Sequence, residues 1–181
     1  MTSIYQLRID LRDAKPPIWR RVLVKDTTTL GDLHEIIQTV MDWGGHHLHQ
    51  FEISREYFGT PHPDDWQPMH DEEKYKLIDI ISMENSTFSY LYDFGDSWEH
   101  KILVEKILPV DDKKNYPVCI KGKRACPPDD VGGIWGYYNF LDAINDPKHD
   151  SHDMYKNWLG YDFDPTEFDI KTINQRLEKY A

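Results

Sequence analysis

The chain has 181 residues, with 21 Lys and Arg against 32 Asp and Glu and a formal charge of −11, a length suited to one domain or one domain with an appendage. Hydrophobic residues at 39% and charged residues at 29% exclude a disordered composition, and the length can bury a core without disulfide or metal staples. The acidic balance also excludes broad nucleic-acid binding, which draws its affinity from cations that neutralise phosphates.

The first element, IYQLRIDLR at residues 4–12, alternates: Tyr5, Leu7, Ile9 and Leu11 share one face and Gln6, Arg8, Asp10 and Arg12 the other, as in a half-buried strand. Pro16 and Pro17 end it, and IWRRVLV at 18–24 restarts as a second strand close enough for a hairpin. Thr28 or Thr29 can cap a helix in which Leu30, Leu33, Ile37, Val40 and Met41 recur at helical spacing, with Gly44 and Gly45 as its stop. HLHQFEI reads as a third strand. Residues 55–76 read as a long irregular segment, 77–81 as a short helix, and TFSYLYDF and SWEHKILVEKIL as two further strands. A second long loop, with both cysteines, is expected from Pro109 to Gly133, and long loops are commonly functional or mobile. Three helices follow: one lined by Ile134, Tyr137, Tyr138, Leu141 and Ile144; a short one closed by Gly160; and a last one marked by Ile170, Ile173 and Leu177, its start expected at Asp164-Pro165-Thr166-Glu167.

Several phrases occur in order: PPIWRR (16–21), LGDLHEIIQTVMDW (30–43), HLHQFEI with His47 just before it, YLYDFGDSWEH (90–100), RACPPDDVGGIWGYYNFLDAI (124–144) and FDPTEFD (163–169) with Asn174 and Leu177. Together they resemble the plasmid pRiA4b ORF-3-like family, which includes passenger proteins of some insertion sequences. The resemblance spans nearly the whole chain. It implies an α+β domain of about this size and brings no established activity. Its association with mobile elements has prompted the label "resolvase-like", but no serine or tyrosine recombinase constellation is visible in the sequence.

Asp93-Phe94-Gly95 matches a tripeptide that positions magnesium in protein kinases, but the kinase phosphate loop, strand lysine and catalytic Asp are not visible here. A turn between strands explains the tripeptide better, with Gly95 expected to supply φ > 0 and Asp96 and Ser97 to bond nearby amides. Asp93, Asp96 and Glu99 gather at this turn, where carboxylates can hold a hard cation or simply cap backbone groups. If 47–53 is a strand, His47 and His49 share a face with Phe51 and Ile53. His100 shares one with Trp98, Ile102 and Val104. Three imidazoles on the apolar face could hold a metal, or could be core-margin histidines bonded to backbone and carboxylates. Cys119 and Cys126, with six residues between them, miss zinc-knuckle spacing and read either as buried thiols or as two ligands in need of partners. Gly132-Gly133 reads as a tight entry into a helix, and Trp19 shares a face with Arg21, which suits a stacked pair.

The expected architecture is α+β: a mainly antiparallel sheet of about five strands packed by one long helix, plus a C-terminal helical group, the first strand–strand–helix–strand order allowing a β-grasp-like core. One domain fills 1–181, with the sheet and helix core in 1–108 and the loop and helical part in 109–181. The expected function is a non-catalytic binding module offering an aromatic, acidic groove to a protein, peptide or small ligand, with Trp19, Arg21, Asp93, Asp96 and Trp98 as candidate ligand contacts. The alternative is a metal-dependent hydrolase built on His47, His49 and His100 with acids of the Asp93 turn. No cofactor is expected beyond a divalent metal, which the residues leave open. No leader or apolar span is visible, so the expected location is cytoplasmic, without membrane contact and with thiols reduced. The cationic run at 113–124 reads as a solvated loop. Anisotropy titration with duplex DNA at physiological salt should therefore show no salt-sensitive binding tighter than about micromolar, the strong end of the 10⁻⁴–10⁻⁶ M range of nonspecific binders.

Overall fold

Alternation along the strands sorts side chains into a buried and an exposed sheet face, and the computed structural model, which describes residues 2–181, builds on that division. The strands are β1 (Ser3–Leu11), β2 (Trp19–Lys25), β3 (His49–Ile53), β4 (Glu56–Gly59), β5 (Met69–Asp71), β6 (Thr87–Tyr92), β7 (Trp98–Pro109) and β8 (Val118–Lys123). They form one sheet in the order β5-β4-β3-β6-β7-β1-β2-β8. Every neighbouring pair is antiparallel except β4 and β5 at one edge. The helices are α1 (Leu30–Met41), α2 (Leu77–Ile80), α3 (Gly133–Asn145), α4 (His152–Leu159) and α5 (Ile170–Leu177). Among the described residues no helix is long and apolar enough to cross a membrane.

The α+β class stands, but eight strands form instead of about five. β4 and β5 lie in the segment read as irregular, and β8 in the second long loop. At four and three residues β4 and β5 are too short to show a period, and β8 is an edge strand whose apolar residues Val118, Cys119 and Ile120 run consecutively instead of alternating. β6 and β7 lie between β1 and the strand that follows α1, so the first three strands do not form a contiguous unit. Nor is α1 the one long helix, since α3 has 13 residues against 12.

The inner face carries Leu7, Ile9, Val22, Val24, Phe51, Tyr90, Ile102 and Val104, all buried against Leu33 and Ile37 of α1, and Ile173 and Leu177 of α5 join the same core. Thr29 caps α1 through the Asp32 amide. The helix ends at Asp42 in the left-handed region, φ 59°, just before the expected glycine stop. The start expected at Asp164 is also displaced. Asp164 accepts from the Thr166 amide and hydroxyl in a local turn, while Asp169 caps α5 through Lys171 and Thr172. On the outer face, Arg8 pairs with Asp10 and Arg21 with Glu105. Tyr116, folded over Ile4 and Leu23, makes a small second core there.

Two core imidazoles bear on acid stability. His34 of α1 is stacked on His49, ring centroids 3.4 Å apart, and its Nδ1 meets the Tyr90 hydroxyl at 2.7 Å. Burial, then the neighbouring His49, lowers its pKa to about 3. His100 is fully buried and is lowered to about 4, chiefly by burial. An unfolded histidine titrates near 6.5, so below that pH the unfolded chain binds protons that the folded chain refuses. Stability from these groups is complete above about pH 6.5 and is lost as pH falls toward the folded values. Urea unfolding should show a loss on the order of 2 kcal/mol per imidazole between pH 6.5 and 5, and His100→Gln should remove part of that slope even if it lowers stability at pH 7.

Candidate metal centre

The Asp93–Ser97 segment is a turn, with a different division of labour from the expected one. Positive φ falls on Asp93 (58°) and Ser97 (55°) rather than on Gly95. Asp93 Oδ1 accepts from the Gly95 and Asp96 amides at 2.9 and 3.3 Å. This Asx-type closure leaves Oδ2 facing away from the turn.

Asp93 Oδ2 points toward His47, which is carried by the connection from α1 to β3. His47 Nε2 lies 3.7 Å from Asp93 Oδ2, 3.8 Å from Asp129 Oδ1 and 2.9 Å from Asp130 Oδ1. One ligand atom from each of these four residues falls within 4.8 Å of the others. Despite the short approach to Asp130, Nε2 is out of line for a hydrogen bond and is both buried and unpartnered. The centre is half open: Asp93 is nearly buried, whereas the Asp130 side chain is 66% exposed.

Asp129 and Asp130 come from the segment between β8 and α3, which three contacts hold over the sheet. Trp43 Nε1 donates to the Pro127 carbonyl at 2.9 Å. The Tyr92 hydroxyl donates to Asp129 Oδ2 at 3.0 Å. Asp96 Oδ2 accepts from the Gly132 amide at 2.9 Å. Burial, and then Asp129, push the Tyr92 phenol well above its ordinary pKa, so it remains a proton donor to that carboxylate. Gly132-Gly133 does form the tight helix entry, with φ of 98° and 70°.

Bond lengths of about 2.1 Å place neighbouring ligand atoms roughly 3.0–3.5 Å apart around one ion, close to the 2.9–3.8 Å separations from His47 Nε2. Three carboxylates and one imidazole suit a divalent cation of intermediate to hard character.

Of the three histidines expected to converge, only His47 reaches this centre. His49 is stacked on His34 and bonded to Glu72 at 2.8 Å. His100 lies beneath Trp43 with Nδ1 3.3 Å from the Tyr90 carbonyl. Trp98, expected as a candidate ligand contact, is 1% exposed and in contact with Trp43. Asp96 holds the neighbouring backbone rather than joining the cluster. Trp19 and Arg21 do stack, at 5.2 Å, but Arg21 is bidentate with Glu105 on the outer face. The cysteines are buried free thiols. Burial raises both, Cys119 to about 11, and neither is in the cluster. Asp129 and Asp130 were the missed residues. Their only sequence signal was an acidic pair beside Pro127-Pro128 and ahead of two glycines.

An eight-stranded mixed sheet with helices on its inner face and a His–Asp cluster at one end is the class the structure defines. The chain belongs to the plasmid pRiA4b ORF-3-like protein family, whose model matches residues 3–172. It is 33% identical over 183 residues to the uncharacterized protein y4hQ of Sinorhizobium fredii (strain NBRC 101917 / NGR234), a match covering all of this chain and 94% of the relative. It is also similar, with 41% identity and a TM-score of 0.88, to the crystal structure of MM3350, a protein of unknown function from Methanosarcina mazei Go1, over 95% of this chain and 97% of that one.

The two turn glycines should respond differently to a methyl group. A Cβ on Gly133 would lie 2.4 Å from the Asp96 carbonyl oxygen at φ +70°, whereas on Gly95 it would meet only Asp93 Oδ1 at 3.3 Å. Gly133→Ala should cost more than about 1 kcal/mol and Gly95→Ala clearly less, as read from chemical denaturation.

Proposed function

We propose that this protein is a binding module whose ligand surface is organised by a divalent cation held by His47, Asp93, Asp129 and Asp130. The observation that supports this reading is the convergence of three carboxylates on an imidazole nitrogen that is buried and unpartnered. Without a cation, three negative groups crowd together. A cation would relieve that repulsion and join the α1–β3 connection, the Asp93 turn and the approach to α3. Asp129 also lines a surface groove of about 620 Å³ between the end of α1 and the C-terminal helices, within the usual range for ligand sites.

A hydrolytic role is the second reading. The exposure of Asp130 favours it, because a solvent-facing side is where an open coordination position would lie.

Chelator-treated, untagged protein should be titrated separately with Mn²⁺, Zn²⁺ and Mg²⁺ while unfolding is followed. At one hundred times Kd a single site adds about 2.7 kcal/mol, a rise in Tm of roughly 5–10 °C for a chain of this size. Asp129→Asn and His47→Ala should abolish most of the rise, whereas His49→Ala should keep it. A Tm unmoved by millimolar concentrations of all three metals would sink the proposal.

A further inference from the structure

The groove that shares Asp129 with the metal centre has a charge character of its own. Its lining includes Asp42, Asp129, Asp162, Asp164, Glu167 and Asp169 against two guanidinium groups, Arg20 and Arg176. Neither cation is free to meet a guest. Arg176 is paired with Asp42. Arg20 is buried beneath the floor, where it donates to the carbonyls of Val40, Trp19 and Lys123 and to Cys126 Sγ. The Phe168 ring covers that guanidinium at 4.7 Å, so the groove presents an aromatic surface there.

The acids are less committed. Glu167 makes no side-chain hydrogen bond or ion pair among the described residues, and Asp162 is fully exposed with only Lys156 nearby, at 3.9 Å. Asp164 and Asp169 are held below the usual carboxylate range, chiefly by hydrogen bonds from Thr166 and Thr172, and so stay charged. Trp158, Tyr161 and Phe163 add aromatic wall, against which a cation gains interaction with ring faces as well as carboxylates.

The apolar surface also runs beyond the groove. Met154 and Trp158 are four residues apart on α4, hence on one face, and Tyr161 follows; all three are exposed, at 56%, 46% and 63%. A small cation would leave that stripe uncovered. We infer that this groove docks a basic segment of a partner protein, with Lys or Arg side chains set among apolar residues. The inference deepens the binding-module reading and stands without the metal ion.

The test uses a fluorescein-labelled hexapeptide alternating Arg and Leu, followed by anisotropy against the full chain, with Mn²⁺ and separately with chelator, so that failure of the cation and failure of the groove are read apart. Saturable binding in both conditions is expected. It should weaken at least fivefold in the double variant Asp162→Asn with Glu167→Gln, and in Trp158→Ala, while Glu99→Gln on the outer sheet face should leave it unchanged. The Asp162 and Glu167 side chains are exposed, so their variants should keep the wild-type melting temperature. Four results would overturn the inference: no binding of the basic peptide, equal binding of a Glu–Leu counterpart, competition by spermidine at equal concentration, or a dimer in sedimentation that the double variant dissolves. The third would assign the groove to a small amine and the fourth to a second copy of this chain.

Discussion

The indole of Trp43 is the point on which the layers of this protein meet. It stands just beyond α1, packs on Tyr92 and Trp98 at ring distances of 5.1 and 5.6 Å, and presents an edge to His100. Its only polar atom donates to the Pro127 carbonyl. A buried Trp contributes several kcal/mol through packing, and its N–H needs a partner once it leaves water. The packing sets where the ring lies, and the ring then sets where Pro127 lies. Asp129 is two residues further on, so the His47–Asp cluster takes its position from the core beneath it.

The histidines show how far strand periodicity reaches. Alternation correctly put His49 and His100 on the inner face, but it says nothing about depth or neighbours. His49 is opposite Tyr92 in the β3–β6 register, and His100 is opposite Tyr90 in the β6–β7 register. The two imidazoles therefore sit at different levels of the sheet. His34, arriving from α1, occupies the space beside His49, and Glu72 takes its nitrogen. His47 precedes β3, where the chain has left the sheet plane, and this alone lets it reach carboxylates from other loops.

The same distinction separates elements that were legible from those that were not. β1, α1 and β7 carry enough periods for one face to be read directly. β4, β5 and β8 are short or at the sheet edge, and depend on hydrogen bonds from neighbours that no local pattern announces. Asp164 and Asp169 are a closer case. Both precede residues able to start a helix, and Asp164-Pro165 has the stronger local signature. The helix starts at Asp169 because Ile173 and Leu177 must face the core, and burial outweighs a capping preference worth about 1 kcal/mol.

By itself the sequence determined the class of the fold, the inward face of the long strands and of α1, and the turn at Asp93, because these rest on contacts between residues a few positions apart. It also fixed an acidic, aromatic-rich composition, with a formal charge of −11 and 13% aromatic residues. Only the tertiary structure decided which acids meet His47, that Trp98 and His100 are interior, and that Arg20 is screened by Phe168. Those outcomes depend on where separate loops cross the sheet. The crossing of the Asp129 segment is held by three hydrogen bonds between residues 84, 37 and 36 apart in the chain, relations that carry no period, motif or spacing for the sequence to display.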